Sequence, residues 1–112
     1  MKSVTVSIGH KTLSGTVLLP ASKSISNRVM MIRALSGKDF PVENLSGADD
    51  TVLLAELLNK LPSKCPNKIC ELDAGHAGTV MRFLTAYLAM VRDLRNRIMI
   101  LFLNRYYIFV GA

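Results

Sequence analysis

Pro20-Ala-Ser-Lys-Ser-Ile-Ser-Asn-Arg28 marks a change of period in the chain. Before it, Leu13 to Leu19 reads as a strand around Gly15, and Pro20 closes that strand. After it, Ile25, Val29, Ile32 and Leu35 recur at helical spacing until Gly37 offers a natural stop. Further out, Ser3 to Ile8 alternates small polar and β-branched residues as a half-buried strand does, and Gly9-His-Lys11 reads as a turn. Phe40 to Leu45 is expected as a short strand, with Pro41 tolerable at its start or on an edge. Ser46-Gly-Ala-Asp-Asp50 is loop chemistry before a second helix, capped by Asp49 and ended by Pro62. Its apolar face is Val52 or Leu53, with Leu57, Leu58 and Leu61.

Ser63 to Lys68 is polar and irregular, and Ile69 to Leu72 is a short strand. Asp73-Ala-Gly-His-Ala-Gly78 then opens a third helix, with Val80, Phe83, Leu84, Tyr87, Leu88 and Val91 on its buried side. The expected order is β-β-α-β-α-β-α, an α/β arrangement. Arg92 to Ala112 differs: three arginines lead into large apolar residues with no clean period. It could form one or two strands, and it suggests no function.

A chain of 112 residues is one small domain's worth, with a modest core. Half of it is hydrophobic and 20% is charged, which argues against wholesale disorder. A net charge of +6 points to an anionic partner without choosing among phosphorylated metabolites, nucleic acid and a membrane surface. Cys65 and Cys70 are too few for a disulfide framework and read as two reduced thiols of a cytosolic protein. Ile98 to Leu103 is strongly apolar, but Asn104 and Arg105 interrupt it well short of the roughly 20 residues a spanning helix needs. No amino-terminal signal peptide is evident, and a soluble, cytoplasmic protein is expected.

Two loop-to-helix junctions carry chemistry. At Ser22-Lys-Ser-Ile-Ser-Asn-Arg28, the unpaired amides of a first helical turn and the positive end of the helix dipole attract an anion. Lys23 adds an ammonium, Ser24 a hydroxyl, and Arg28, one turn on, a planar fork suited to phosphate or carboxylate. An ordinary serine cap among exposed cations would look the same. At Asp73 to Arg82, Gly75 and Gly78 allow close backbone approach, Thr79 can cap the helix, and Arg82 lies one turn in. A tight turn with a cap explains that segment equally well. His76 is a candidate ligand or acid–base group, and Asp49 and Asp50 read first as helix-capping residues. Two cradles suit two anionic molecules, or one molecule with two anionic groups.

Leu19-Pro-Ala-Ser-Lys-Ser-Ile-Ser-Asn-Arg28 resembles the Leu-Pro-Gly-Ser-Lys-Ser-x-Ser-Asn-Arg signature of EPSP synthases. Asn44-Leu-Ser-Gly-Ala-Asp-Asp-Thr51 and Asp73 to Ala86 resemble two further motifs of that family, in the same order. The motifs cover residues 1 to about 90. His76 stands where the family often has Asn, Ala21 where it often has Gly, and Phe83 where it often has Pro.

The resemblance implies part of the enolpyruvyl transferase fold, an incomplete βαβαββ-type α/β unit. Residues 1–20 would be strands of the full enzyme's first domain, 21–91 the first α/β unit of the second, and 92–112 an atypical tail. It implies enolpyruvyl transfer from phosphoenolpyruvate to shikimate 3-phosphate, without metal or organic cofactor. Lys23, as the catalytic residue, would touch both substrates; Ser24 and Arg28 would hold shikimate 3-phosphate; Gly78 and Thr79 would line the phosphoenolpyruvate pocket. Partners would be these small molecules, with no nucleic acid, no membrane and a monomeric full-length enzyme. This chain is far shorter than family members, so it is expected to be inactive alone. Other readings are the sibling transferase acting on UDP-N-acetylglucosamine, a small basic nucleic-acid-binding module, and a non-functional remnant.

Overall fold

The structure is a computed structural model that describes residues 1–10, 12–61, 69–91 and 98–110. Its elements in chain order are α1 (Lys23–Ser36), α2 (Asp49–Asn59), β1 (Ile69–Asp73), α3 (Gly78–Met90), β2 (Ile98–Leu103) and β3 (Tyr106–Val110). The α/β class holds. The last four elements run β-α-β-β, and β2 and β3 fall in the stretch that the sequence set apart as an atypical tail.

β1 and β2 are parallel, with Ile69 opposite Ile98 and Asp73 opposite Phe102, and α3 is the crossover between them. β2 and β3 are antiparallel, joined through Asn104 and Arg105. Asn104 takes a left-handed φ of 53°, a conformation asparagine tolerates in a two-residue hairpin turn. Phe102 and Tyr107 face each other across this hairpin, their ring centroids 6.3 Å apart and tilted. The apolar run at 98–103, which had no functional reading in the sequence, is thus the central strand of the sheet.

Burial explains why these elements hold together. β1 alternates, with Cys70 and Leu72 inward and Ile69, Glu71 and Asp73 outward. Met99 and Leu101 of β2 point to the same core. α3 covers this face with Val80, Met81, Leu84 and Leu88, and Phe83, Tyr87 and Val91 pack at its margin, as the helical spacing predicts. The same helix also contacts α1 and α2, so it is the layer through which those helices are joined to the sheet.

Three expected strands are absent. Residues 3–8, 13–19 and 40–45 form no strand, and every described residue from Met1 to Pro20 is exposed. A strand exists only with a ladder partner, and alternation in sequence cannot supply one. At 40–45, Pro41 lacks an amide donor and Asn44 turns left-handed at φ 54°, which interrupts extension. The radius of gyration of 19.5 Å exceeds the roughly 13 Å of a compact chain this long, in keeping with an exposed amino-terminal arm.

α1 has the expected extent, and Gly37 ends it at φ 64°, but its apolar residues at helical spacing are not its buried face. Ser26, Asn27 and Met30 are buried, whereas Ile25, Ile32 and Leu35 are 65%, 61% and 53% exposed. Polar groups go inside because α2 and the segment before it satisfy them there. In α2 the buried face is Thr51, Leu54 and Leu57, with Leu53, Leu58 and Leu61 partly covered and Val52 exposed. Cys70 is disulfide-bonded, which corrects the expectation of two reduced thiols. Cys65, Pro62 and the irregular segment 63–68 lie outside the described residues.

The buried face of α1 is testable by urea denaturation. Met30→Ala is expected to cost about 2–5 kcal/mol, whereas Ile32→Ala should change stability by no more than about 0.5 kcal/mol. The opposite ranking would make the apolar stripe the buried face.

Candidate functional site: the mouths of α1 and α3

The first turn of α1 is built from its own sequence. Ser22 is the N-cap, and its hydroxyl accepts from the Ile25 amide at 3.3 Å. The amides of Lys23 and Ser24, ahead of the first intrahelical bond, face outward as in any helix start. Arg28 folds back one turn, donating to the Ser24 carbonyl at 3.1 Å and to the Ser24 hydroxyl. Lys23 reaches across to α2 and donates to Asp50 Oδ2 at 3.0 Å. The structure therefore gathers Lys23, Ser24 and Arg28 at one helix mouth, and it adds Asp50.

What aims this mouth is a set of buried polar bonds. The Thr51 hydroxyl donates to Asn27 Oδ1 at 2.8 Å, and the Ser46 amide donates to the Ser26 hydroxyl at 2.9 Å. Both are buried, and a buried polar group without a partner costs about 1–3 kcal/mol, so each bond selects the arrangement that makes it. They join the first turns of α1 and α2 side by side. Asp49 and Asp50 then add negative charge to the first turn of α2, where the helix dipole favours it. The expectation that Asp49 caps α2 is corrected: the N-cap is Ala48, with no side-chain bond, and Asp49 is the first helical residue. Helix α2 begins because its first turn is acidic and Thr51 is anchored, and a cap side chain is not what starts it.

The second junction sits at the sheet's edge. The Asp73 carboxylate accepts from the Gly75 amide at 2.7 Å, an Asx-type turn. The Asn104 amide donates to the Gly75 carbonyl at 2.7 Å, and the Ala74 amide donates to the Phe102 carbonyl at 2.8 Å, so the loop is bound to the β2–β3 turn. Gly75 holds φ 54°, a left-handed conformation that favours glycine. Gly78 has no such demand, and a Cβ there would meet nothing within 4 Å. Nothing in the chain itself, then, requires glycine at 78. Thr79 does not cap α3: the N-cap is Ala77, without a side-chain bond, and the Thr79 hydroxyl instead accepts from Arg82 Nη2 at 3.2 Å. His76 is exposed and has no side-chain partner among the described residues.

No hydrogen bond or ion pair links the 22–28 cluster to the 78–82 cluster among the described residues. Arg82 lies instead beside Met31 and Leu35 of α1, in a groove of about 200 Å³ that continues along α3 to Met90. Both clusters share one chemistry, in which each cation rests on an internal acceptor: Lys23 on Asp50, Arg28 on Ser24 and Arg82 on Thr79. An entering anion would find free helix-terminal amides and cations that need only exchange partners. The sequence reading missed Ser26, Asn27, Ser46 and Thr51 as anchors and Asp50 as a charge partner. The signal available was small polar residues at apolar spacing in two helices that begin 26 residues apart.

No described helix is long and apolar enough to cross a membrane. Backbone geometry separates the two glycines in a way stability measurements will read. Gly75→Ala should destabilise the chain by about 1–2 kcal/mol, the cost of a left-handed non-glycine residue. Gly78→Ala should leave the melting temperature unchanged or slightly higher, since alanine favours a helix. A large loss at Gly78 would mean that the chain itself needs glycine there.

Comparisons with known proteins identify the family. The family model for EPSP synthase (3-phosphoshikimate 1-carboxyvinyltransferase) matches residues 8–100, running past the limit near residue 90 suggested by the motifs. A Bacteroides fragilis 3-phosphoshikimate 1-carboxyvinyltransferase is 47% identical over 77 residues, covering 69% of this chain and 17% of that protein. Its Burkholderia multivorans namesake is 39% identical over 97 residues, covering 72% of this chain and 22% of that protein. The Hamiltonella defensa protein of the same name is 40% identical over 98 residues, covering 70% and 23%. The chain thus spans about a fifth of the length of these relatives. No solved structure matches it. With a family match over most of its length, this chain belongs to the EPSP synthase family.

Proposed function

We propose that the chain is one wall of an enzyme that transfers the enolpyruvyl group of phosphoenolpyruvate to shikimate 3-phosphate in the cytoplasm. The observation that carries this reading is the convergence of Lys23, Ser24 and Arg28 at the open mouth of α1, in a chain of this family. Lys23 contacts both substrates, and Ser24 and Arg28 hold shikimate 3-phosphate. Gly78 and Thr79 line the phosphoenolpyruvate pocket, where the open space around Gly78 leaves room for a small ligand.

In the reaction, a hydroxyl oxygen of shikimate 3-phosphate bonds to the central carbon of phosphoenolpyruvate while the methylene carbon gains a proton. Loss of inorganic phosphate, with a proton from that same carbon, restores the double bond. Bringing two polyanions together costs Coulomb energy, which fixed cations offset, and cations also stabilise charge on the departing phosphate. Lys23 and Arg28 supply this from α1. The proton donor and the remaining cations belong to parts of the enzyme beyond the fifth represented here, and the isolated chain does not turn over.

The domain division follows the same reading. Residues 1–20 become strands of one domain only against partners outside this chain, residues 21–91 are the first α/β unit of the other, and β2 and β3 lie beyond that unit in the same sheet. The rest of the enzyme covers the exposed arm and the Ile25, Ile32 and Leu35 stripe. The full-length enzyme is a monomer with small-molecule partners only.

Two-dimensional NMR titration of the 112-residue chain with shikimate 3-phosphate tests this reading. Saturable shifts at Lys23 to Arg28 are expected, weakened at least about tenfold by Lys23→Ala in a variant whose remaining amide spectrum is unchanged, and no enolpyruvyl product should form when phosphoenolpyruvate is added. Equal binding by Lys23→Ala would overturn the site, and product formation would overturn the incompleteness of the chain.

A further inference from the structure

The three-stranded sheet has two edges, and they are not alike. Among the described residues, β1 and β3 are each paired on one side only, both with β2. An edge strand offers a row of main-chain donors and acceptors to another strand, and proteins guard such edges with charge or proline. β1 is guarded. Glu71 and Asp73 are exposed along it, and in a second β1 laid antiparallel about its midpoint Glu71 would face its own copy, a like-charge pair. β3, Tyr106-Tyr-Ile-Phe-Val110, carries no charge and no proline. Its Tyr106, Tyr107 and Ile108 are 75%, 59% and 36% exposed.

The register decides which main-chain groups of β3 face the outer side. The hairpin closes on Leu103 and Tyr106 through a two-residue turn, so that pair exchanges hydrogen bonds. In an antiparallel ladder every second pair does the same, which adds Leu101 with Ile108. Tyr107 and Phe109, opposite Phe102 and Ile100, therefore turn their amides and carbonyls away from β2.

We propose that the 112-residue chain pairs with a second copy of itself through β3, antiparallel and centred on Ile108. This register sets Tyr107 of each copy opposite Phe109 of the other, so the outward main-chain groups of those residues bond one another. Ile108 meets its own copy on the two-fold axis, and an apolar residue stands opposite an apolar residue at each of these positions. The axis is perpendicular to the sheet, which keeps both α3 helices on one face and runs one ladder through three strands from each copy. Because the contact is made by main chain, it leaves side-chain contacts such as Phe102–Tyr107 in place. The alternating, exposed arm at 3–8 is the competing occupant of this edge. Ordering each arm residue costs backbone entropy, whereas β3 is already extended against β2. That difference favours the second β3.

Sedimentation velocity and amide hydrogen exchange on the full 112-residue chain test the pairing. A dimer that dissociates on dilution is expected, with amides 107 and 109 protected in proportion to the dimer present. Tyr107→Pro removes an amide that faces away from β2 and no bond of the β2–β3 ladder, so it should weaken dimerisation at least about tenfold. Tyr107→Lys brings charge to the edge and should also weaken it, in a variant whose amide spectrum is otherwise unchanged. Tyr107→Thr keeps strand propensity without adding charge and should retain the dimer. A monomer at every concentration, open-ended association beyond two copies, or a dimer that survives both Tyr107→Pro and Tyr107→Lys overturns the inference. Loss of the dimer in Val6→Asp overturns it as well, and assigns the edge to the arm.

Discussion

The buried hydrogen bond from the Thr51 hydroxyl to Asn27 Oδ1 sets the relation between the first two helices. Neither group can reach water, so the pairing of α1 with α2 is confined to arrangements that keep these atoms about 2.8 Å apart. With the Ser26–Ser46 bond beside it, the contact fixes the rotation of α1 about its own axis. Apolar burial by itself would have turned Ile25, Ile32 and Leu35 inward; the polar pair turns them out. In turn, Lys23 comes to stand opposite Asp50, and Ser24 and Arg28 are left on the open side.

The rest of the molecule supports that contact from behind. The helix α3 touches the sheet on one side and both other helices on the other, and its Leu84 and Val80 are fully buried. Its own mouth is set by a different device, the backbone bonds from 74 and 75 to the β2–β3 turn. One helix mouth is therefore positioned by side chains and the other by main chain. Substitution reaches the first more easily than the second, apart from Gly75, where backbone conformation constrains the residue.

Much of this was legible in the sequence wherever the signal is local. The extents of α1, α2 and α3, the strand at 69 and the glycine turn at 73–78 follow from periodicity and turn chemistry, and the three motifs identify the family. The strands expected at 3–8, 13–19 and 40–45 are absent, because a strand depends on a partner that alternation does not reveal. The buried side of α1 could not be read for a related reason. Ser26 and Asn27 look like surface residues until Ser46 and Thr51, some 20 and 24 residues away, are seen to satisfy them. Asp50 was read as a helix-capping residue because its carboxylate suits that role locally; its ion pair with Lys23 is a long-range fact. The run after 92 reads as able to form one or two strands, and β2 and β3 are found there; their place in the sheet beside β1 is a long-range pairing that a run without a clean period does not disclose.

The dependence of the site on the α1–α2 contact is measured most directly by a double-mutant cycle on Asn27→Ala and Thr51→Ala, read by denaturation together with amide hydrogen exchange. A coupling of about 0.5–3 kcal/mol is expected, with Lys23 to Arg28 losing protection in each single variant. Additive effects, with protection at 23–28 unchanged, would show that the helix mouth is positioned by something other than this bond.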